Sequence, residues 1–549
     1  MSNSAQRANT LDNSKIKAQD VSLFTFVFIA FSYCCGGCFG IEELVASSGP
    51  GLALVILLLL PFFWAAPQAL VAAELGSAMP YTGGFYKWIQ RGLGEFWGFT
   101  AGWCRVLGGY LGIAIPVVLG VDYLKMLVPM DDLQTYLFKA ALIIVFTVLN
   151  LRGIKEAGRV TTILSLVVLA AFVFVAIVGF MHWNHNPVEP FFNEKAGPLG
   201  SFTESIAIGL WVYSGFTSVS FLAGDCKDRS VAWKGILIVI PLSMILYILP
   251  TMSGLAAVGQ WESWSADSVN YATVAGLVIP FAASLFAIIA FISQSAMFNT
   301  SIMAISRGLY AISEDHLAPK ILSKVSKSKG VPIASIITIG IFALIGAQFS
   351  FGALVTVKVT FLMVDYILIW ISGFQLRIKE PDMERPFKIP GGMGVYLLVV
   401  IPGFLVAFFA VLVNGANYFW GGMVGICLMS VLYIFIKRIC GGLTKIDSVG
   451  HPINPVTKLA YGDLGRFAKM FGVFTVLGII AYFFIPLYEG SWGPEYYADK
   501  YGFAGAYDFI LQGILYTSIA FACITILLLI LDKVIDPKDK RPKNLKFGL

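Results

Sequence analysis

The sequence predicts an all-α membrane protein, and its composition and the length of its apolar runs lead to that prediction. Of its 549 residues, 58% are hydrophobic and only 13% are charged. Apolar runs of about 20 residues, the length needed to cross a bilayer as a helix, recur along almost the whole chain. Because backbone polar groups in lipid need partners within their own segment, we expect these runs to be helical.

The chain contains about 14 runs of the length that a bilayer requires. In chain order they cover residues 21–47, 51–76, 97–124, 136–151, 161–181, 203–225, 233–258, 272–299, 332–349, 354–376, 393–413, 417–437, 471–488 and 507–531. The longest polar connection, residues 438–470, contains Gly-Gly and two prolines. It separates a core at 21–437 from two additional transmembrane helices at 471–532.

Basic residues predict the orientation of these spans. If both ends of the chain are cytoplasmic, most of its 38 Lys and Arg residues fall on the cytoplasmic side, as membrane proteins prefer. Residues 1–20 are polar and lack the apolar core of a signal peptide, so we expect a cytoplasmic tail there. Residues 533–549 form a basic cytoplasmic tail that could touch anionic lipid. We therefore expect an integral protein of the plasma or cytoplasmic membrane, and the net charge of +6 requires no nucleic-acid partner.

The first apolar run contains an unusual series of small residues followed by two carboxylates, Glu42 and Glu43. Glycine weakens a helix, and acidic residues at membrane depth are costly, so this combination favours a ligand site over a plain membrane helix. Small residues at a helix break allow a ligand to approach the backbone. The candidate binding residues are Cys35, Gly36, Gly37, Cys38, Phe39 and Gly40.

Cysteines also cluster in this run, at Cys34, Cys35 and Cys38. A zinc site would need four Cys or His ligands, and the four histidines all lie far along the chain, in loops or at span ends. We therefore expect no metal and no cofactor. The sequence also contains no Ser/His/Asp grouping or phosphate-binding glycine loop that would predict an enzyme.

The sixth span contains a second interruption, a glycine with hydroxyl neighbours at mid-depth. Its candidate binding residues are Tyr213, Ser214, Gly215, Phe216 and Thr217. Interruptions five spans apart are what an inverted repeat of five helices would produce, with substrate held between half-helices at the midplane. The alternative is that these glycines serve close helix packing.

Five motifs, in order along the chain, resemble the amino acid–polyamine–organocation transporter superfamily. The last of them is typical of the branch that contains the L-type amino acid permeases and the polyamine uptake permeases. The motifs are Gly36-Gly37-Cys38-Phe39-Gly40-Ile41-Glu42-Glu43, Glu74-Leu75-Gly76 with Gly83-Gly84-Phe85-Tyr86 and Trp88, Leu222-Ala223-Gly224-Asp225, Ser306-Arg307-Gly308-Leu309-Tyr310-Ala311 and Arg385-Pro386-Phe387-Lys388-Ile389-Pro390.

The resemblance implies a five-plus-five inverted-repeat transporter core with broken first and sixth helices. Two further helices complete the twelve-helix core at 21–437, so about four helices would follow the repeats in a chain of about 14 spans. The resemblance also implies that amides near Gly36 to Gly40 face a substrate carboxylate and that carbonyls near Tyr213 to Gly215 receive an ammonium group. Phe216 would then be an aromatic gate.

The cargo implied by the resemblance is an amino acid or an amine. Polyamine permeases of plants carry acidic residues in the third, sixth and eighth helices, where this chain has Leu111, Thr217 and Asn299. Because a polycation in low dielectric needs paired negative charge, we expect a secondary active amino acid transporter, by proton symport or exchange. A polyamine or organic-cation/proton symporter, and a non-transporting membrane sensor, remain alternatives.

The sequence leaves the coupling ion open. Several proton-coupled members of the resembling branch place a lysine in the fifth helix, where this chain has Val168. Candidates for proton coupling or cation binding are Glu42, Glu43 and Asp122, with Glu74 and Asp365 as further possible proton carriers. Two cations also lie within predicted spans, and we expect both of them, Arg105 and Lys358, to pair with carboxylates. Nothing in the sequence identifies a partner subunit.

Overall fold

The computed structural model describes residues 22–81, 83–152, 157–219, 228–326, 331–448 and 450–537. Three sequence predictions lie wholly or mostly outside these residues. They are the N-terminal tail 1–20, the motif Leu222-Ala223-Gly224-Asp225 and the C-terminal tail 533–549, of which only the first residues are described.

Helices dominate the described part of the chain, and we number them α1 to α19 in chain order. The first six are Leu23–Cys34, Ile41–Ser48, Pro50–Ala78, Phe85–Leu93, Glu95–Lys125 and Asp132–Arg152. The next six are Ala157–Met181, Gly197–Val212, Phe216–Val219, Arg229–Val258, Tyr271–Ala275 and Pro280–Glu314. The last seven are Ile333–Gly346, Phe351–Lys379, Gly392–Val413, Ala416–Cys440, Asp463–Glu489, Gly493–Tyr501 and Ala506–Ile535.

Eleven of these helices are long and apolar enough to cross a membrane, and α1 and α13 are shorter apolar helices. The all-helical membrane class predicted from composition is therefore confirmed. The first predicted span is divided between α1 and α2, and the sixth between α8 and α9. Helices α1, α2 and α8 are each shorter than a bilayer requires. The ninth apolar run holds only the 14-residue α13. The first, sixth and ninth of the 14 runs therefore contain no full-length helix among the described residues, which leaves 11.

Glycines occupy the interruptions where the backbone turns out of the helical region. Helix α1 ends at Cys34 and α2 begins at Ile41, while α8 ends at Val212 and α9 begins at Phe216. Positive φ angles, which side chains with a Cβ disfavour, occur at Gly36 (58°), Gly37 (115°), Gly40 (90°) and Gly215 (112°). Replacing these glycines would strain the backbone even where space is available.

The eighth span differs from its predicted bounds of 272–299. Residues Tyr271–Ala275 form the separate short helix α11, and α12 begins at Pro280 and continues to Glu314. Asn270 caps α11 by accepting a hydrogen bond from the Ala272 amide, and Pro280 occupies the first turn of α12, where proline is well tolerated. Local capping and proline placement therefore decide this boundary more strongly than apolar composition does.

The interrupted helices lie in the interior of the bundle. Helix α1 packs against α7 and α10, α2 packs against α8, and α5 packs against α12 and α14. Large apolar side chains on α12, α15 and α17 point outward, for example Phe281, Leu398 and Phe483. Such exposure is expected of a surface that faces lipid.

The last two long helices, α17 and α19, pack against each other and against α16. The Phe467 ring lies 4.7 Å from the Phe96 ring of α5, measured between centroids, and also contacts Tyr433 of α16. The division of the chain into a twelve-helix core, a connection at 438–470 and an additional helix pair stays a prediction.

Candidate functional site

A cavity of about 60 Å³ lies between the two helix interruptions. Four of the predicted binding residues line it: Cys35 and Phe39 from the first interruption, and Ser214 and Gly215 from the second. Helices α5, α12 and α14 close its other sides with Gly112, Met297 and Tyr366, among others. The two interruptions thus contribute to one shared cavity, which is large enough for several water molecules.

The other predicted binding residues lie beside this cavity without lining it. They are Gly36, Gly37, Cys38, Gly40, Tyr213, Phe216 and Thr217. The Cys38 thiol donates to the Leu246 carbonyl (2.9 Å), and the Tyr213 hydroxyl donates to the Leu57 carbonyl (2.8 Å). Their role in binding, and that of Phe216 as a gate, stay predictions.

Backbone amides at the first interruption include donors without an internal partner. The amides of Cys35 and Gly36 donate to the Phe31 carbonyl, at 2.8 and 3.0 Å. In contrast, the amides of Gly37, Cys38 and Phe39 make no hydrogen bond to any residue that the structure describes. Three donors next to the N-terminus of α2 form an environment that suits an anion.

The second interruption is more fully hydrogen-bonded. The Gly215 amide donates to the Tyr366 hydroxyl (3.3 Å), and the Ser214 hydroxyl donates to the Leu210 carbonyl (2.5 Å). The Tyr213 carbonyl accepts a long hydrogen bond from Gln68 Nε2 (3.4 Å). Val212, the last residue of α8, lines the cavity, so the C-terminal end of this helix borders it, and there the helix dipole favours a cation.

Arg105 in α5 forms the central ion pair of the site. Its Nε lies 2.5 Å from Asp365 Oδ2 of α14, and its Nη2 donates to Thr217 Oγ1 of α9 (3.1 Å). The guanidinium carbon also lies 4.6 Å from the centre of the Phe85 ring. The prediction that Arg105 pairs with a carboxylate is confirmed, and the pair links α5, α9 and α14 at the cavity wall.

Lys358 in α14 also lines the cavity, but the prediction that it pairs with a carboxylate is wrong for the residues described. No Asp or Glu oxygen of the described side chains lies within 4.0 Å of its ammonium group. The nearby charged group is the Arg105 guanidinium. Asp365, seven residues further along α14, binds Arg105 instead.

The predicted coupling carboxylates occupy different environments. Glu42 is completely buried and accepts hydrogen bonds from the Gly40 amide (2.8 Å) and from the Tyr123 hydroxyl. Glu43 is only partly buried, and Asp122 lies 3.9 Å from the ammonium group of Lys139. None of the three carboxylates lines the cavity, although Glu42 borders the first interruption.

The buried carboxylate of Glu74 binds the segment that carries the motif at 385–390. Its carboxylate accepts a hydrogen bond from Arg377 Nε (2.8 Å) and from the Ile389 amide (2.9 Å). Arg385 Nε lies 3.3 Å from the same carboxylate. Two cations around one buried carboxylate hold the loop after α14 against α3, which favours a structural role for Glu74 over proton transfer.

Helix α4, at Phe85–Leu93, contains the motif residues Phe85, Tyr86 and Trp88. Asp315, just after α12, anchors it through Lys87 Nζ (2.5 Å), the Tyr86 hydroxyl (2.8 Å) and Gln90 Nε2 (3.0 Å). Burial, followed by the charge and hydrogen bond of Asp315, raises the pKa of Tyr86 well above its ordinary value. The Tyr86 hydroxyl therefore stays protonated and can donate.

Sequence reasoning missed the aromatic residues of the cavity, Tyr33, Trp211, Tyr247 and Tyr366. Trp211 packs edge-on against Phe351, with ring centroids 5.3 Å apart, beside the first interruption. The chain contains many buried aromatic residues, so no local signal distinguishes those at a cavity from those in the core. Of the four, Tyr33 and Trp211 lie next to a predicted interruption, and that position is the signal that could have found them.

A family model described as amino acid permease matches residues 21–424, which include both interruptions and the whole cavity. This chain belongs to the amino acid permease family. The resemblance stated from the motifs is therefore confirmed, and the permease is an integral membrane protein of a transporter family. Helices α17 and α19 lie outside the matched residues.

The permease is similar to relatives that are named either as polyamine transporters or as amino acid permeases. It is 30% identical over 447 residues to a probable polyamine transporter of Arabidopsis thaliana, covering 78% of this chain and 90% of the relative. It is 28% identical over 410 residues to the polyamine transporter PUT1 of Oryza sativa subsp. japonica, covering 71% and 73%. It is 26% identical over 421 residues to the branched-chain amino acid permease BcaP of Lactococcus lactis subsp. cremoris, covering 71% and 87%.

Proposed function

We propose that this permease is a secondary active amino acid transporter that works by alternating access around the cavity between its two interruptions. The observation that carries the proposal is the composition of that cavity. Arg105 and Lys358 line it, and no Asp or Glu is among its described lining residues. A site with this charge suits a molecule that carries a carboxylate.

The two helix ends suit the two charges of an amino acid. The amides of Gly37, Cys38 and Phe39 border the N-terminus of α2, where a helix dipole favours an α-carboxylate. The C-terminal end of α8, at Val212, favours an α-ammonium group. This assignment rests on the fold of two inverted five-helix repeats that the family resemblance implies, which we include in the proposal.

Polyamine transport is the second candidate, and the names of the relatives in Arabidopsis thaliana and Oryza sativa favour it. The chemistry of the cavity opposes it. Plant polyamine permeases have acidic residues at three positions where this chain has Leu111, Thr217 and Asn299. Two of these side chains are hydrogen-bonded to other residues of this chain. Thr217 accepts from Arg105 (3.1 Å), and Asn299 accepts from Asn150 (2.7 Å). A polycation would meet Lys358 without a free described carboxylate to offset its charge.

For coupling, we propose proton symport with Glu42 as the proton carrier, or exchange of one amino acid for another. Glu42 combines full burial with a position next to the first interruption, so a change in its protonation would act directly on the binding segment. Glu43 and Asp122 remain the alternative carriers. We also place both termini on the cytoplasmic side of the plasma or cytoplasmic membrane.

Uptake into proteoliposomes tests the proposal. Radiolabelled neutral, acidic, basic and aromatic amino acids, with putrescine and spermidine, would be offered with and without an inward proton gradient. Saturable uptake of an amino acid supports the proposal, and stimulation by the gradient or by preloaded amino acid separates symport from exchange. Uptake of polyamines alone would replace it with the second candidate. Saturable binding of an amino acid without flux would indicate a sensor.

A further inference from the structure

Lys358 is held in the cavity wall by close packing of its aliphatic stem. The stem crosses α5 at Gly112, where an added Cβ would lie 2.6 Å from Lys358 Cδ and 3.0 Å from its Cβ. At Gly108 an added Cβ would meet the Lys358 backbone, at 3.3 Å from its carbonyl oxygen. Because two glycines of α5 provide this space, the lysine has a defined position beside the cavity and is not simply extended into lipid.

The charges that the described residues bring to the cavity do not sum to zero. Arg105 contributes +1, Asp365 contributes −1 and Lys358 contributes +1, which leaves a net charge of +1. Ionised groups in a low-dielectric interior need a counter-charge, and none of the described carboxylates supplies one to Lys358. A zwitterionic amino acid with a neutral side chain carries no net charge and would leave this excess in place.

We propose that Lys358 makes the site selective for amino acids with an anionic side chain, such as aspartate and glutamate. The inference rests on the proposed function and adds to it the substrate class. In this arrangement the α-carboxylate and α-ammonium groups meet the two helix ends, and the Lys358 ammonium binds the side-chain carboxylate. The net charge of −1 on such a substrate balances the +1 of the cavity.

Binding to the purified full-length permease in detergent tests this preference directly. Glutamate is compared with glutamine, and aspartate with asparagine, because each pair has nearly the same shape and differs in charge. Each ligand's affinity is read from the concentration dependence of the thermal unfolding midpoint. A charged hydrogen bond predicts that the acidic member of each pair binds about tenfold more tightly or better. Equal affinities, or tighter binding of the amides, would overturn the proposal.

Variants of the lysine connect that preference to its side chain. In Lys358→Met we expect the acid-over-amide ratio to fall to about one, while Lys358→Arg retains a preference because it keeps the charge. Lys324→Met, at an exposed loop position that does not line the cavity, is the matched control and should keep the wild-type ratio. If Lys358→Met still binds the acid much more tightly than the amide, a group other than Lys358 binds the side-chain carboxylate.

Binding measurements with neutral amino acids, acidic amino acids and spermidine distinguish a failure of this inference from a failure of the proposed function. Binding of neutral amino acids with no preference for aspartate or glutamate would leave the amino acid transporter standing and remove the role of Lys358. Binding of spermidine without any amino acid would remove both. If Lys358→Met fails to fold, the wild-type comparison of acid with amide still decides the substrate class.

Discussion

Glu42 and Lys358 illustrate two fates of an ionisable side chain beside a helix interruption. Glu42 does not line the cavity and accepts hydrogen bonds from the Gly40 amide and the Tyr123 hydroxyl. Lys358 lines the cavity, and its ammonium lacks a described carboxylate partner. A buried group that is already hydrogen-bonded suits a coupling role, whereas an unsatisfied one suits contact with substrate.

Neutralising Glu42 should separate coupling from binding. In Glu42→Gln we expect amino acid exchange to persist, because the amide can keep the hydrogen bond from Gly40, and we expect stimulation by a proton gradient to be lost. Proteoliposome uptake with and without an inward proton gradient measures both quantities. The exposed residue Glu194 provides the control substitution Glu194→Gln, which should behave like wild type. If the proton gradient still stimulates uptake by Glu42→Gln, Glu42 is not the proton carrier, and Glu43 or Asp122 takes that assignment.

Gly37 is the position in the first interruption where a side chain meets the most severe obstacle. Its φ of 115° disfavours any residue with a Cβ, and an added Cβ would lie 2.5 Å from Phe39 and 2.6 Å from Phe172. We expect Gly37→Ala to cost roughly 1–3 kcal/mol in backbone strain alone. The variant should lose most uptake and unfold at a lower temperature.

Gly394 supplies the matched control for that substitution. It lies in helix α15, and an added Cβ would meet nothing within 4 Å. Gly394→Ala should therefore retain wild-type uptake and thermal stability. Equal behaviour of the two alanine variants would contradict a requirement for glycine at Gly37.

At the scale of elements, α4 is anchored mainly by a buried carboxylate outside its own sequence, that of Asp315. Asp315 receives the Lys87 ammonium, the Tyr86 hydroxyl and the Gln90 amide, and the Asp315 side chain is only 6% exposed. The neighbouring pair of Arg91 and Glu380 is about one third exposed on each side and is expected to contribute less. One buried ionic contact thus joins α4 to the end of α12.

Removing Asp315 should loosen α4 more than the loss of a surface ion pair would. Asp315→Asn leaves Lys87 without its partner, and breaking a buried pair costs about 3–5 kcal/mol. Thermal unfolding in detergent would report a clear decrease in the midpoint. The exposed pair of Lys195 and Glu262, with side chains 83% and 59% accessible, is the control, and Glu262→Gln should change little. Similar effects of both substitutions would argue against the anchoring role.

At the scale of the whole molecule, the pair α17 and α19 is attached through both ends of α17 to helices α5 and α16. At one end, the Tyr433 hydroxyl donates to Asp463 (2.9 Å), and Phe467 packs on Phe96. At the other end, Glu489 accepts from the Ala416 amide (3.2 Å) and from the Tyr497 hydroxyl (3.1 Å). This attachment combines buried polar bonds with aromatic packing, so the pair should be an integral part of the folded protein.

A split chain tests whether the pair recognises the rest of the protein without a covalent link. Residues 1–448 and 449–549 would be expressed together, with an affinity tag on the second fragment alone. We expect the fragments to purify together in detergent, and the double variant Asp463→Asn with Phe467→Ala to reduce the recovery. Val476→Ala, at an outward-facing position of α17 that is 57% exposed, should not reduce it. Absence of the first fragment from the purified material would contradict this attachment.

Local patterns in the sequence determined the class of protein, the approximate positions of its helices and the family. Apolar runs, the glycines around Gly37 and Gly215 and the motif at 385–390 are all readable without knowing which helices touch. Boundaries were less predictable, since the start of α12 depends on the cap at Asn270 and on Pro280. The role of Glu74 was also hidden, because its partners lie more than 300 positions away along the chain.

Only the tertiary structure decided which buried charges meet. Arg105 and Lys358 are both basic residues in apolar spans, and the sequence predicts the same pairing for each. The fold brings Arg105 to Asp365, 260 positions away, and leaves Lys358 beside the cavity. Helix formation and membrane insertion depend on neighbouring residues, whereas charge pairing depends on how distant helices pack, and packing is not encoded in any local pattern.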